Sequence, residues 1–389
     1  MRHSQPWIYS PLVDGLFILG IPFFVVAVAF AFPAIFAPPD SMTVVSWALL
    51  VMGVDVSHVY STLYRTYFDA ETRQRHAGLL YLLPFAVLVI SMLVYAAGAM
   101  IFWRVMAYLA VFHFARQQYG FMRVYSRNEN ESPVTRRMDA LAIYTATFYP
   151  ILAWHLQGQK AFNWFMKGDF AYFTSATAGD IARFFYIAVI ALYTAKELIL
   201  LWTSFAAQKK LPLPGNSKAG LPGTYQFNLP RNLIIAGTFI SWYVGIVHFN
   251  SDLAFTAINV MSHGIPYMAL VWIWGHKRYA STASVGVGLN LPLQRRLFRP
   301  RYVALFAGLL LTLAYIEEGF WDVWVWHEPE HAAFFSIFHD TLGDLDNGSP
   351  WLRLVVPLLS VPQVTHYIID GFIWKVRNDR YGWRKAVLD

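Results

Sequence analysis

Residues 77–125 read AGLLYLLPFAVLVISMLVYAAGAMIFWRVMAYLAVFHFARQQYGFMRVY. A membrane span needs about 20 mainly apolar residues. The stretch holds two such runs, 77–99 with no charged residue and 101–125, which carries His113, Arg116 and Gln117 inside it. Spanning helices are therefore expected, some of them with ionisable groups placed where lipid would not tolerate them.

The same reading extends to the whole chain. Of 389 residues, 57% are hydrophobic and 14% charged, against about 25% charged in ordinary soluble domains. The aromatic share of 17% suits lipid-facing and interfacial surfaces. Ten runs are expected to form spans, near 14–36, 43–66, 77–99, 101–125, 138–156, 180–206, 231–249, 253–275, 302–320 and 350–375. Together they make one all-α, polytopic transmembrane bundle covering residues 1–389. Met1 to Pro11 lacks the basic start and cleavage site of a secretory signal, so the first run is expected to be retained. The Gly/Pro-rich segment 211–223 reads as loop. Residues 160–176, with Trp164, Phe165, Phe170 and Phe173, are too short and polar to span and are expected to lie along the interface. With no cysteine, thiolate metal sites, iron–sulfur clusters, disulfides and cysteine nucleophiles are excluded.

The net charge of +7 is distributed by topology. If the N-terminus is cytoplasmic, the connections on that side should be basic. They hold Arg65, Arg73 and Arg75; Arg123, Arg127, Arg136 and Arg137; Lys209, Lys210, Lys218 and Arg231; Lys277, Arg278, Arg295, Arg296, Arg299 and Arg301; and Lys375, Arg377, Arg380, Arg384 and Lys385. With Arg2, that is 23 of the 30 basic residues. The connection 321–349 on the opposite side contains Asp322, Glu328, Glu330, Asp340, Asp344 and Asp346, and no Lys or Arg. Both termini are expected in the cytoplasm. The charge is thereby accounted for without a nucleic-acid surface, and the partners expected are membrane lipids and a hydrophobic small molecule.

Four runs carry a histidine well inside: His58, His113, His263 and His366. Each has a polar residue three or four positions away, namely Asp55, Gln117, Asn259 and Asp370, a spacing that places the pair on one helix face. The histidines lie 7, 10, 14 and 9 residues before the basic residue that closes each run. At the helical rise, their depths are roughly 10, 15, 21 and 14 Å. For one ion to bind all four, tilt or a kink at Gly264–Pro266 must absorb the spread. Neutral imidazole is a common ligand for iron, copper and zinc, with its second nitrogen held by a carboxylate or carbonyl. The plain alternative is that each histidine packs and hydrogen-bonds across helices. Arg116 is a candidate for holding a substrate headgroup or carboxylate, and Tyr119 and Tyr267 are candidate donors around it. His155, His248, His327, His331 and His339 form an outward set. His327 and His331 have ligand-like spacing, but Pro329 between them argues for a solvated loop. Paired HxxxH sets, P-loop, GxGxxG and GxSxG motifs are missing.

The placement of His58, His113, His263 and His366 on separate helices resembles, in kind, the bacterial Brp/Blh membrane dioxygenases, which cleave β-carotene to retinal on a non-haem iron. The local motifs differ: that family has a PHG-type segment and HFG, where this chain has VSHVY and HFARQQYG. HYIIDGFIWKVR (366–377) resembles a closing motif of bacterial membrane proteins. The likeness implies a bacterial inner membrane and iron on histidines, and carries no claim of carotenoid chemistry.

The function expected is a membrane metalloenzyme, a non-haem Fe(II) oxygenase or oxidoreductase acting on a lipid or isoprenoid. The alternatives are a redox protein with two histidines as axial haem ligands, His113 and His366 being closest in depth, and a proton- or ion-coupled transporter.

Overall fold

The computed structural model describes residues 5–36, 42–129, 132–210, 226–280, 291–346, 348–375 and 387–388. The 211–223 segment and the basic residues Arg2, Lys218, Arg377, Arg380, Arg384 and Lys385 lie outside them. Among the described residues there are helices and connections but no strand.

Each of the ten apolar runs is helical. The helices are α1 (11–31), α2 (Val44–Arg65), α3 (Ala77–Ala97), α4 (Ala99–Tyr125), α5 (Pro133–Gln157), α6 (Ala176–Lys210), α7 (229–248), α8 (Asp252–Tyr279), α9 (Pro300–Trp326) and α10 (Leu352–Ile373). Seven of them, α2, α3, α4, α6, α8, α9 and α10, are long and apolar enough to cross a membrane. α1 bends by 54° at Gly20 and makes an eighth if its halves form one span. The expected count of ten therefore stands at seven or eight on this measure. α5 and α7 fall short; they also carry Arg136, Arg137, Asp139 and Arg231, part of which forms a buried ion network described below.

Local chemistry sets where the helices begin. Ser132 caps α5 through the Thr135 amide with Pro133 in the first turn, and Asn228 caps α7 through the Arg231 amide with Pro230. At the chain start, buried Asp14 accepts from the Ile8, Tyr9 and Ser10 amides and from Tyr125 Oη, fastening α1 to α4.

α2, α4, α8 and α10 form the centre: α2 and α4 each pack against both α8 and α10, and α9 covers α2. α2 is wound in wide, π-type turns over Ala48–Val56, and α8 over Thr256–Val260. Such turns shift which side chains face a neighbour and recur at functional sites. His58 and His263 follow them immediately. The connections segregate to two ends. Met42, Thr43, Ala161, Asn163, Asp252, Glu328 and Glu330 surround one cavity. At the other end Lys277 donates to Ile8 and Val387 carbonyls, Arg127 to those of Pro6 and Trp7, and Arg278 pairs with Asp69 and Glu71.

The 160–176 segment is non-helical up to Ser175 and folds back onto the bundle. Phe162 and Phe170 are fully buried against Trp154, and the Asp169 carboxylate gathers the amides of Trp164, Phe165 and Met166. Its aromatic residues are spent on the bundle, with Phe173 left exposed.

Candidate metal centre

The four intramembrane histidines meet. His58 comes from α2, His113 from α4, His263 from α8 and His366 from α10, and all four are buried. Five of their ring-to-ring distances fall between 4.6 and 6.4 Å. His58 Nε2 lies 3.1 Å from His263 Nε2, and His113 Nε2 lies 3.1 Å from His366 Nε2. Two nitrogens held about 2.05 Å from one ion lie about 2.9 Å apart at a right angle and about 3.4 Å apart at the tetrahedral angle. The observed spacing sits between these values. Four neutral imidazoles with lone pairs turned inward repel one another, so the arrangement calls for shared protons or a shared cation. Ligand atoms of His58, His113 and His263 lie within 4.8 Å of one another, as do those of His113, His366 and Asp370.

The depth spread inferred from the sequence is absorbed in the helices. The wide turns of α2 and α8 reset the registers of His58 and His263, and Pro266 interrupts α8 just beyond His263. Proline has no N–H, which leaves the Ser262 carbonyl without its helical donor. Gln118 Nε2 supplies one at 3.3 Å, and its neighbour Gln117 donates to the His263 carbonyl at 2.9 Å. Gly264 lets α2 come close, since a Cβ there would lie 2.7 Å from Val54 Cγ1.

Behind His366 runs a hydrogen-bond chain. His366 Nδ1 is 2.7 Å from Thr62 Oγ1, Thr62 Oγ1 is 2.8 Å from Tyr267 Oη, and Tyr267 Oη donates to Asp370 Oδ1 at 2.5 Å. Trp374 Nε1 donates to Tyr267 Oη at 3.3 Å. Read as His366 N–H to Thr62, Thr62 O–H to Tyr267 and Tyr267 O–H to Asp370, every donor is used once and the chain ends on a carboxylate. That assignment leaves the His366 Nε2 lone pair facing the cluster, the tautomer that binds metals. Two rings cap the others: Phe114 stacks on His263 at 3.5 Å and Tyr367 on His113 at 4.6 Å.

The residues singled out in the sequence divide accordingly. Tyr267 and Asp370 stand directly behind a histidine. Asp55 Oδ1 is 3.5 Å from His58 Nδ1, close but too long for a good hydrogen bond. Asn259 donates to the Phe255 carbonyl rather than to His263, and its Oδ1 is buried with no donor. Arg116 and Tyr119 are directed to the neighbouring helix instead: Arg116 is exposed and donates to Tyr144 Oη at 2.6 Å, and Tyr119 stacks on the Tyr144 ring. His327 and His331 do not converge. His327 Nε2 meets the Leu345 carbonyl, whereas His331 and His339 both face Asp322, so this loop is pinned to the bundle rather than freely solvated. His155 is held by the Ala171 carbonyl at 2.6 Å.

Sequence reasoning missed Thr62, Tyr367, Gln118, Glu317 and Glu318. Thr62 stands four residues after His58, the same-face spacing already applied to the other pairs. Glu317 and Glu318 are ionisable residues inside an expected span, a signal available from the start. Nothing in the pattern marks Tyr367 or Gln118.

Two cavities lie beside this cluster, and the smaller reaches one of its histidines. One, of about 760 Å³, opens at the end bearing the acidic loop and is lined by Asp55, Phe114, Asn259 and several carboxylates. The other, of about 390 Å³, is an apolar cleft between α2, α3 and α10 lined by Val59, Leu63, Leu80, Pro84 and Ile369, and reaching Thr62 and His366. No protein-family model, no curated protein and no solved structure matches the chain.

Proposed function

We propose that this protein is an integral membrane metalloenzyme that holds one transition-metal ion, Fe(II) by preference, on His58, His113, His263 and His366. The observation that carries the reading is the convergence of four buried imidazoles from four helices with, among the described residues, no Lys or Arg hydrogen-bonded or ion-paired to them. A ferrous ion on nitrogen ligands with an open position supports O₂ chemistry, which makes oxygenase or oxidoreductase the reaction class. The apolar cleft at His366 supports a lipid or isoprenoid substrate arriving from the bilayer. Thr62, Tyr267 and Asp370 fix the orientation and tautomer of His366, while Phe114 and Tyr367 exclude water from two of the rings.

The geometry favours this over haem. Axial nitrogens on one haem iron stand about 4 Å apart with the macrocycle between them, and pairs at 3.1 Å leave no such slot. A second reading, ion- or proton-coupled transport, draws support from the acidic cavity that ends at Asp55 beside His58. The segregation of basic and acidic connections supports ten crossings in a bacterial inner membrane with both termini in the cytoplasm. Reporter fusions after residues 70, 130, 215 and 285 should report cytoplasm, and those near 40 and 335 the opposite side. One robust reversal breaks that topology.

Elemental analysis of gently purified, monodisperse protein made with iron supplied tests the metal. About one transition-metal ion per chain is expected. Alanine at any one of the four histidines should remove it, and alanine at His327 or His331 should not. Wild-type protein without stoichiometric metal would sink the enzyme reading and put transport first.

A further inference from the structure

Arg116 takes no part in the histidine cluster, yet it sits inside a helix long and apolar enough to cross a membrane. It stands seventeen residues after Ala99, the first residue of α4, or about 25 Å along the helix axis. A hydrocarbon core is about 30 Å thick, so an α4 that enters at Ala99 carries Arg116 within the core, near its far edge. The side chain is exposed on the outside of the bundle. Among the described residues its partners are the Tyr144 hydroxyl at 2.6 Å and the Tyr119 ring at 5.2 Å, and no carboxylate meets it. A guanidinium facing lipid without a counter-charge is costly, and arginines in spans ordinarily pair or reach for the headgroups.

This side chain does not run along its own helix to the headgroups. It crosses to α5 and bonds Tyr144, which lies eleven residues into that helix from Pro133. Tyr144 Oη accepts this bond, and among the described residues its own hydrogen goes to no acceptor. Tyr119 stacks on Tyr144 at 5.2 Å and Tyr144 on Phe148 at 5.8 Å, which holds the hydroxyl in place. A positive charge and an unspent donor thus stand side by side, and both call for an anionic oxygen. Exposed Arg137 lies seven residues before Tyr144, on the same face of α5, and has no ion-pair partner among the described residues. On the other side of Arg116 the exposed surface turns apolar, with Phe112, Leu109 and Val105 on α4 and Phe148 and Leu152 on α5.

We propose that Arg116 and Tyr144 bind the phosphate of an anionic glycerophospholipid, with one acyl chain lying along the apolar strip. The guanidinium and the hydroxyl donate to phosphate oxygens, and Arg137 adds positive charge on the headgroup side. The order matches a lipid of the leaflet at the basic end of the bundle: charge at Arg137, phosphate at Arg116, then hydrocarbon toward the membrane centre. Basic sites between spanning helices are where such headgroups are held. Val105 lies eleven residues from Arg116, about 16 Å, which is close to the depth of one leaflet's hydrocarbon. The site is independent of any ion on the histidines.

Native mass spectrometry of the purified full-length protein, titrated with dioleoyl phosphatidylglycerol or dioleoyl phosphatidylcholine, tests this. The acyl chains are identical and only the headgroup differs. Wild type should retain one phosphatidylglycerol per chain and prefer it to phosphatidylcholine by about tenfold or more. Arg116→Gln should abolish the preference. Tyr144→Phe keeps the ring stack and loses only the hydroxyl, so retention should fall by about three- to tenfold. Arg183→Gln, on the exposed surface of α6, should bind lipid as wild type does. Added phosphatidylglycerol should raise the thermal midpoint of wild type and leave Arg116→Gln unmoved. Should Arg116→Gln fail to fold, Tyr144→Phe alone decides. The proposal is overturned if wild type binds the two lipids alike, or if either variant retains phosphatidylglycerol as wild type does. A dimer that forms without retained lipid and is lost in Arg116→Gln would overturn it too, giving this face to a second copy.

Discussion

Two regions of this bundle bury polar side chains, and they handle them in opposite ways. Where α5, α6 and α7 meet, Arg231 pairs with Glu129 at 3.0 Å, Asp139 at 3.2 Å and Glu197 at 2.5 Å, while Lys196 pairs with Asp139 and with Glu197 at 2.6 Å. Asn232 donates to the second Glu197 oxygen and is itself held by Tyr193. Cations and carboxylates answer one another there, as a structural tie between three helices requires. Where α2, α4, α8 and α10 meet, four histidines of one kind face inward, and among the described residues no lysine or arginine forms an ion pair with Asp55 or Asp370 beside them. The first cluster closes on itself. The second is left open, and in a membrane an open polar cluster points to a ligand.

The sharpest test of that contrast removes one member from each. Asp139→Ala or Arg231→Ala should destabilise the protein by about 3–5 kcal/mol, because the partner charge is left buried and uncompensated. Thermal unfolding in detergent and the yield of monodisperse protein would report it. A histidine variant such as His113→Ala should keep its fold and lose its metal. Should the ion network tolerate such changes while histidine variants fail to fold, the two clusters have exchanged roles.

A smaller effect separates ligands from the groups behind them. Asp370→Asn and Tyr267→Phe each leave four imidazoles in place but break the chain that orients His366. Metal affinity should fall by about 10- to 100-fold without disappearing. Competition against a chelator of known affinity measures it. An unchanged affinity in both variants would show the Thr62–Tyr267–Asp370 chain to be structural only.

The contrast also explains what could be read from sequence. All ten helices were legible, because about 20 apolar residues in a row leave few other options. The four histidines were legible too, since each interrupts such a run. Their convergence was not, because fixed-rise arithmetic ignores the wide turns before His58 and His263. Arg116 was misplaced for a related reason. Spacing from His113 puts it near the same face, but a long flexible side chain goes where a partner waits, and Tyr144 Oη is that partner. Crossing number was the least secure inference. α5 and α7 trade apolar residues for the ion network, so apolarity and helix position part company there.

The smallest expected effect lies in the acidic loop, where pH should act in the direction opposite to its effect at the histidines. His339 Nε2 is hydrogen-bonded to Asp322 Oδ2 at 2.9 Å, and its Nδ1 is 3.4 Å from Asp344. The hydrogen bond to Asp322, assisted by the charges of both acids, holds the His339 imidazolium above its usual value of 6.5. A raised value in the folded state means the fold binds the proton more tightly than the unfolded chain does. The resulting stabilisation is fully present below about 6.5 and is lost as pH rises through the raised value. Metal ligation by imidazole follows the reverse course, because protons compete with the ion and metal leaves as pH falls. Hydrogen exchange across residues 336–346 should therefore quicken, once corrected for the intrinsic pH dependence of exchange, as pH rises from about 6 to 8. Metal content over the same range should hold steady or increase. His339→Gln should flatten the pH response of the loop and leave metal content unchanged. A loop that loosens on acidification instead would place the governing titration elsewhere.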